Sequence, residues 1–233
     1  MSACYIAGMR EIVLRGRGPN TITRESLRRF AGELEEAGDE PLLLRGEGSA
    51  FSAGLDLDAL GGDLVPLLDA IDEAAGALFL HPGPTVACIN GHAIAGGCLL
   101  ALACDHRVVS SDPRLRMGMT ALSLGLVYPP IALAILRYRL PAHTLERVLL
   151  GATRFGPEEA LALGVVDEVA SDPLATARER LSALADHPRA AYAHTKRALR
   201  QRAVAIDETE RQYLLEEASR AWDPDAVRAR LRR

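Results

Sequence analysis

The chain has 233 residues, of which 48% are hydrophobic, and a formal net charge of −4 at pH 7. This length suffices for one full hydrophobic core or two small ones, whereas the charge balance provides no basic surface for nucleic acid. No apolar run approaches the roughly 20 residues of a membrane span, the N-terminus lacks the apolar core of a secretory signal, and the four cysteines lack metal-ligand spacing. We therefore expect a cytoplasmic protein with reduced cysteines and with neither nucleic-acid nor membrane partners.

The first elements of the chain alternate between strand and helix patterns. Residues 11–14 predict a short strand, and apolar residues then recur at helical spacing from Leu27 to Leu34 after a capping Thr23. Residues 42–44 predict a second, buried strand. The order strand, helix, strand favours a parallel sheet.

A glycine-rich loop over residues 46–58 follows the second strand. It lacks the third glycine of a dinucleotide-binding fingerprint and the Gly-Lys-Ser/Thr of a P-loop. Its Ser52 also lacks the glycine frame of a nucleophile elbow. The loop either decorates the surface or, because it is apolar, lines a ligand site.

Residues 64–80 predict an amphipathic helix, because apolar residues recur at helical spacing along them. Its acidic residues, Asp69, Asp72 and Glu73, are interpreted as a face turned to solvent.

We expect the chain to be organised around the stretch from Pro84 to Asp105. A strand-length apolar run over residues 86–89 is broken by Asn90-Gly91, and residues 95–97 (Ala-Gly-Gly) lead into an apolar helix start at 98–104. Two glycines at a helix mouth let a ligand approach free N–H groups at the positive end of the helix dipole. Backbone alone can build an anion or oxyanion site in this way. A tight turn that needs glycine only for packing is the competing interpretation, and both stay open.

The rest of the chain has mainly helical patterns. Helix starts are predicted at Thr144 and Pro157, the second helix ending at Gly164, and residues 165–169 predict a short extended segment. Because the tail that follows cannot bury its apolar residues on itself, we expect it to pack on a neighbouring subunit. That tail consists of three predicted amphipathic helices, over residues 173–185, 189–203 and 209–222.

Several motifs, in consistent order, resemble the enoyl-CoA hydratase/isomerase family, the crotonase superfamily. The sequences SAGLDL and AGGCLLALACDHR are most similar to its Δ3,Δ2-enoyl-CoA isomerase branch. The resemblance implies an α/β crotonase fold, with a spiral core of ββα units and the acyl-CoA site in residues 1–170. A C-terminal helical region, residues 171–233, would support homotrimers or hexamers. The matching segments span nearly the whole chain and are residues 51–57, 89–98, 104–105, 117–125, 159–167 and 195–198.

The resemblance also implies a binding site. Members of this family bind acyl-CoA thioesters and stabilise an enolate at the thioester oxygen with two backbone N–H groups. By position these are the N–H groups of Leu55 and Gly96, and Ala53, Asp56 and Leu57 would hold the adenine and pantetheine parts of CoA. No separate cofactor is expected, since CoA is part of the substrate.

The sequence departs from the family pattern at its acid–base positions. Hydratases of the family carry two glutamates, at the positions of Leu99 and Ala121 here, and the isomerase branch keeps only the second. Hydration therefore has no evident catalyst. Tyr128 is the remaining catalytic candidate, because it falls where a decarboxylase-like branch places a tyrosine, although lining the pocket is its expected role. For His92 we expect a structural hydrogen bond.

Three functions remain open at this point. The preferred one is an enoyl-CoA isomerase-like enzyme with a backbone oxyanion hole. The second is decarboxylation or thioester hydrolysis on the same scaffold, with Tyr128 or a water as the acid. The third is a non-catalytic protein that binds CoA thioesters. A fold alone does not choose among them.

Overall fold

A computed structural model describes residues 4–6, 8–56 and 64–231 of the chain. Its strands are β1 (Cys4–Ile6), β2 (Met9–Leu14), β3 (Leu42–Gly46), β4 (Ala50–Ser52), β5 (Thr85–Ile89), β6 (His92–Ile94), β7 (His106–Ser110), β8 (Met117–Gly118) and β9 (Glu168–Ala170). Its helices are α1 (Arg17–Asn20), α2 (Arg24–Ala37), α3 (Val65–Leu80), α4 (Gly96–Ala103), α5 (Pro130–Arg139), α6 (Ala142–Gly151), α7 (Pro157–Ala162), α8 (Pro173–Ala185), α9 (Arg189–Arg200), α10 (Glu208–Arg220) and α11 (Pro224–Leu231). Short 3₁₀ turns cover Ala121–Leu124 and Gln201–Ala203.

Two sheets form the framework. The larger sheet has the strand order β1-β2-β3-β5-β7-β9, antiparallel between β1 and β2 and parallel elsewhere. The smaller sheet has three parallel strands in the order β4-β6-β8. The successive units β3-β4-α3, β5-β6-α4 and β7-β8-α5 each give their first strand to the larger sheet and their second to the smaller. This repeat confirms the predicted α/β architecture of ββα units.

The larger sheet is buried on both faces, as parallel sheets usually are. Every residue of β5 is buried. On one face, Val86 and Cys88 of β5 pack against Ala177 and Leu181 of α8. Alternate residues of the same strands point into the main core, which α2, α3, α4 and α5 enclose. The strands therefore show uninterrupted apolar runs, as at residues 86–89.

A buried ionic cluster ties the C-terminal region to the edge of the larger sheet. Asp105, which precedes β7, accepts hydrogen bonds from Lys196 Nζ (2.9 Å) and the Tyr192 hydroxyl (2.8 Å) and pairs with Arg200 (2.6 Å). Burial opposes ionisation of this carboxyl, but Lys196 and Arg200 hold its pKa below the usual value. Helix α9 is thereby fixed to its own chain, as α8 is by its apolar contacts with β5, and contact with a neighbouring subunit stays a prediction.

The position of Asp72 contradicts the sequence-based interpretation of α3. The prediction of a solvent-facing side chain is wrong, because Asp72 is 1% exposed and accepts a hydrogen bond from the Ala132 N–H (2.9 Å) at the start of α5. Burial raises the pKa of the Asp72 carboxyl to about 6. Its neighbour Glu73 is exposed, as expected.

Three of the four cysteines lie in the core. Cys88, Cys98 and Cys104 are buried free thiols, and burial raises the pKa of each to about 12. None of the helices in residues 4–6, 8–56 and 64–231 combines the length and apolar character needed to cross a membrane.

Candidate active site

The glycine-rich loop after β4 is held against the N-terminus of α4. Gly54 has a φ of 82°, a left-handed conformation that favours glycine, and a Cβ there would lie 3.3 Å from the Gly96 nitrogen. The Ile22 N–H donates to the Gly54 carbonyl (2.8 Å), and the Asp56 N–H donates to the Ile22 carbonyl (2.8 Å). Because both neighbours of Leu55 bond toward Ile22, the N–H of Leu55 points to the opposite side.

Two further glycines and a strained alanine position the start of α4. Ala95 has a φ of 47°, and its N–H donates to the Gly118 carbonyl (2.8 Å). Gly97 allows α4 to approach β4 closely, since a Cβ at 97 would lie only 2.8 Å from the Ser52 Cβ. Gly96 is the first residue of the helix, where an N–H group has no partner within the helix.

Within the described part of the chain, neither the Leu55 N–H nor the Gly96 N–H has a hydrogen-bond acceptor. Both residues line the same cavity. The positive end of the α4 dipole lies at Gly96. Two neighbouring free donors at such a point can bind an oxygen that gains negative charge.

The cavity has a volume of about 190 Å³ and a mainly apolar wall from α3, α4, α5 and the segment before α5. It brings six of the eight predicted site residues together: Ala53, Leu55, Gly96, Leu99, Ala121 and Tyr128.

The other two predicted residues lie elsewhere. Asp56 is buried outside the wall, where it accepts hydrogen bonds from Arg17 (3.1 Å) and the Thr21 hydroxyl (3.4 Å). Leu57 lies outside the described residues.

The described part of this wall contains no carboxylate side chain. Leu99 and Ala121, the two positions where the resemblance places glutamates, are 3% and 8% exposed and both line the cavity. No aspartate or glutamate among the described residues joins them there. The site as described therefore has no carboxylate that could act as general base.

Two hydroxyl groups of the wall, those of Tyr128 and Ser123, are bonded to the backbone. The Tyr128 hydroxyl donates to the Met119 carbonyl (2.8 Å), and the Ser123 hydroxyl donates to the Thr120 carbonyl (2.7 Å). Burial raises the pKa of Tyr128 above its usual value. This geometry favours a pocket-lining role for Tyr128, and its role in catalysis stays a prediction.

Sequence reasoning missed the charged residue of the described wall, Arg154. It follows α6 in a short loop, and no motif links it to the segments around Leu55 or Gly96. The expected structural role of His92 is confirmed, because its Nδ1 accepts a hydrogen bond from the Arg116 N–H (2.9 Å).

Known proteins similar to this chain share one family. The family model described as enoyl-CoA hydratase/isomerase matches residues 6–220. Mitochondrial enoyl-CoA delta isomerase 1 of Mus musculus is 34% identical over 172 residues, which cover 70% of this chain and 60% of that protein. A putative enoyl-CoA hydratase of Thermus thermophilus is 36% identical over 171 residues, 69% of this chain and 65% of that protein. The chain thus spans about three fifths of the length of the mouse protein.

A solved structure extends the likeness over almost the whole chain. Human mitochondrial Δ3-Δ2-enoyl-CoA isomerase superposes with a TM-score of 0.89 at 25% identity, covering 97% of this chain and 93% of that chain. This likeness confirms the fold class predicted from the sequence motifs.

Proposed function

The chain belongs to the enoyl-CoA hydratase/isomerase family, and on that premise we propose that it binds acyl-CoA thioesters and performs enolate chemistry of the enoyl-CoA isomerase type. In such an isomerisation, a proton leaves C2 of a 3-enoyl thioester, and negative charge develops on the thioester oxygen. Return of a proton at C4 gives the conjugated 2-enoyl thioester. No water is added, and a single proton carrier suffices.

The observation that carries this proposal is the pair of N–H groups without acceptors at Leu55 and Gly96, in the wall of one apolar cavity. Fixed donors aimed at a developing oxyanion are among the strongest catalytic effects, and each is worth about 10²–10³ in rate. The apolar wall strengthens them, because it excludes competing water. Relatives designated enoyl-CoA delta isomerases support the same reaction type.

Hydration is disfavoured by the same cavity. A hydratase must deliver a water and a proton to adjacent carbons, which requires two acid–base groups, whereas the family's two positions hold Leu99 and Ala121. We expect negligible hydration of crotonyl-CoA. Loss of its conjugated absorbance at ordinary enzyme rates, about 1–10³ per second, would show that the acid and base lie elsewhere.

The lack of a carboxylate in the described wall favours decarboxylation as a second candidate. The bond between C2 and a substrate carboxylate would break, its electron pair would form the enolate held by the two N–H groups, and CO₂ would leave. A proton from water would then reach C2. This route needs no base in the wall, and protonation of C2 completes it.

Calorimetric titration with a non-reactive thioether analogue of an acyl-CoA tests the binding step. We expect saturable binding, weaker for CoA without an acyl group. No binding at millimolar ligand would contradict the proposal. Assays with 3-enoyl-CoA and with a carboxylated acyl-CoA then separate isomerase from decarboxylase, and binding without either reaction would indicate a non-catalytic protein. A cytoplasmic location stays a prediction, since relatives include mitochondrial proteins.

A further inference from the structure

We propose that the acyl group accepted by this cavity carries a carboxylate and that Arg154 binds it. The inference rests on the proposed acyl-CoA binding and deepens it by naming the substrate class, a carboxyacyl-CoA with a short chain.

Arg154 is the one charged side chain in the cavity wall among the described residues. It makes no hydrogen bond or ion pair with any of them. Arg107 (buried) and Arg45 (half-buried), by contrast, are paired with Asp167 (2.6 Å) and Glu11 (2.6 Å). Arg154 is exposed and therefore stands at the rim of the cavity, where its donors are open to a ligand.

The backbone of Arg154 is fixed against β8, the strand next to β6 in the smaller sheet. The Met117 N–H donates to the Phe155 carbonyl (3.0 Å), and the Phe155 N–H donates to the Met117 carbonyl (2.9 Å). Gly118 permits this approach, because a Cβ there would lie 3.3 Å from the Arg154 Cα.

Gly118 pairs in turn with Ile94 of β6, two residues before Gly96. Neighbouring strands lie about 4.8 Å apart. Because Arg154 lies beside Gly118 and Gly118 beside Ile94, the backbone of Arg154 is about 10 Å from that of Ile94. A guanidinium on a flexible side chain can therefore reach a carboxylate a few carbons from a thioester bound at Gly96.

The described wall has one cationic side chain and no anionic one, which favours an anionic acyl group. A carboxylate entering an apolar cavity loses solvation unless it is paired, and a guanidinium offers a planar set of donors that fits it in a bidentate way. A glutamate at position 99 or 121 would repel such a substrate. The apolar residues at those positions and the free Arg154 thus point to the same ligand chemistry.

CoA itself offers phosphate oxyanions that could also pair with Arg154, so the experiment must separate the two sources. Calorimetry would compare two thioether analogues of CoA with equal chain length, one ending in a carboxylate and the other in a methyl group. For the unmodified protein we expect tighter binding of the carboxylate ligand. In Arg154→Met this preference should be lost, a change of about 10- to 100-fold for a hydrogen-bonded ion pair.

Two further variants serve as controls. Arg154→Lys keeps the charge without the bidentate geometry and should keep part of the preference. Arg137→Met removes an exposed arginine on α5 outside this wall and should leave the preference unchanged.

Equal affinity of the unmodified protein for both ligands would overturn the inference. Equal weakening of both ligands in Arg154→Met would also overturn it, because it would assign the arginine to a CoA phosphate. Failure of both ligands to bind the unmodified protein would remove the proposed function, and this inference with it.

Discussion

Ala121 begins a 3₁₀ turn in the cavity wall, at the position where the sequence resemblance places the glutamate of the isomerase branch. The nearby hydroxyls of Ser123 and Tyr128 already donate to main-chain carbonyls. The proposed oxyanion donors, the N–H groups of Leu55 and Gly96, have no acceptor among the described residues. A carboxylate that could take the proton from C2 is missing from the described wall.

We expect Ala121→Glu to create or raise conversion of neutral 3-enoyl-CoA to 2-enoyl-CoA. General acid–base groups contribute about 10²–10⁴-fold, so the gain should be visible as growth of the conjugated enoyl absorbance. Ala121→Gln is the matched control, because it has similar volume and no base. Leu99→Glu should do less, since it buries a charge at the start of α4.

The outcome depends on which group carries the proton at present. If Tyr128→Phe abolishes an existing isomerase activity, Tyr128 is the carrier and position 121 is not the deficit. If Ala121→Glu folds, binds acyl-CoA and gives no isomerisation, the assignment of the oxyanion donors or of the substrate class is wrong.

Asp72 should make the free energy of unfolding depend on pH. Its carboxyl has a pKa of about 6 in the folded protein, above the unfolded value near 3.9. The contribution of Asp72 to the free energy of unfolding is therefore highest below about pH 4, where its carboxyl is protonated in both states. It falls as the pH rises toward about 6 and is constant above that. The charges that act on it are Arg211 of α10, which lowers its pKa, and Asp69, which raises it.

Asp72→Asn should therefore gain stability over the unmodified protein as the pH rises from 4 to 7, by up to about 3 kcal/mol. The asparagine carbonyl can still accept the Ala132 N–H. Denaturant unfolding at both pH values measures the gain, and Glu73→Gln, at an exposed neighbour, is the control. An identical difference at both pH values would show that the carboxyl ionises freely in the folded state.

A helix could be predicted from the sequence where its buried face is apolar and its exposed face is charged. Helix α2 could be predicted because its apolar residues recur at helical spacing between charged residues. A capping box formed by Thr23 and Ser26 marks its N-terminus. Helix α5 was missed because it begins in Pro-Pro and residues 130–136 are all apolar, so that no polar residue marks its exposed face. Strands β4, β6 and β8 have only two or three residues, too few for alternation to show.

Only the parts of the site that lie in local sequence motifs could be predicted. Leu55 and Gly96 could be identified because each lies in a local motif. Their missing acceptors depend on contacts between distant segments, as does the position of Arg154 in the wall, and no local pattern records either. The burial of Asp72 likewise depends on α5, which the sequence did not reveal.

The close contact between α4 and β4 gives a prediction for Gly97. Gly97→Ala would place a Cβ 2.8 Å from the Ser52 Cβ, against a strand that cannot move freely. We expect a loss of stability of about 1–3 kcal/mol, as for other overpacked sites, and weaker acyl-CoA binding because the Gly96 N–H is displaced.

Gly96→Ala is the control for stability. Its Cβ would lie 3.3 Å from the Ile22 Cδ1, the end of a side chain that can shift, and 3.8 Å from the Gly54 Cα, an ordinary van der Waals contact. Denaturant unfolding and calorimetry compare the two variants. Equal stability of both would mean that the approach of α4 to β4 does not depend on glycine.

The C-terminal region is integrated into the molecule. Helix α8 covers one face of the larger sheet, α9 is tied to Asp105, and Arg211 of α10 pairs with Asp69 of α3. Large apolar side chains nevertheless remain on the surface, among them Leu150 (69% exposed), Leu199 (62%) and Tyr213 (59%).

These apolar side chains support the prediction of a trimer or a dimer of trimers. Light scattering at micromolar concentration should give three or six times the mass of one chain. Leu150→Glu and Leu199→Glu, measured separately, would indicate which surface lies in the contact. A monomeric mass for the unmodified protein would contradict the prediction.

The most direct test of the two oxyanion donors is the infrared carbonyl stretch of a bound acyl-CoA labelled with ¹³C at its thioester carbonyl. Two N–H groups fixed at the oxygen polarise the C=O bond more strongly than water does. We therefore predict a lower stretching frequency in the saturated complex than for the same thioester in water, with a smaller decrease in Gly97→Ala. A saturated complex whose carbonyl frequency is unchanged or higher would contradict the assignment of Leu55 and Gly96 as oxyanion donors.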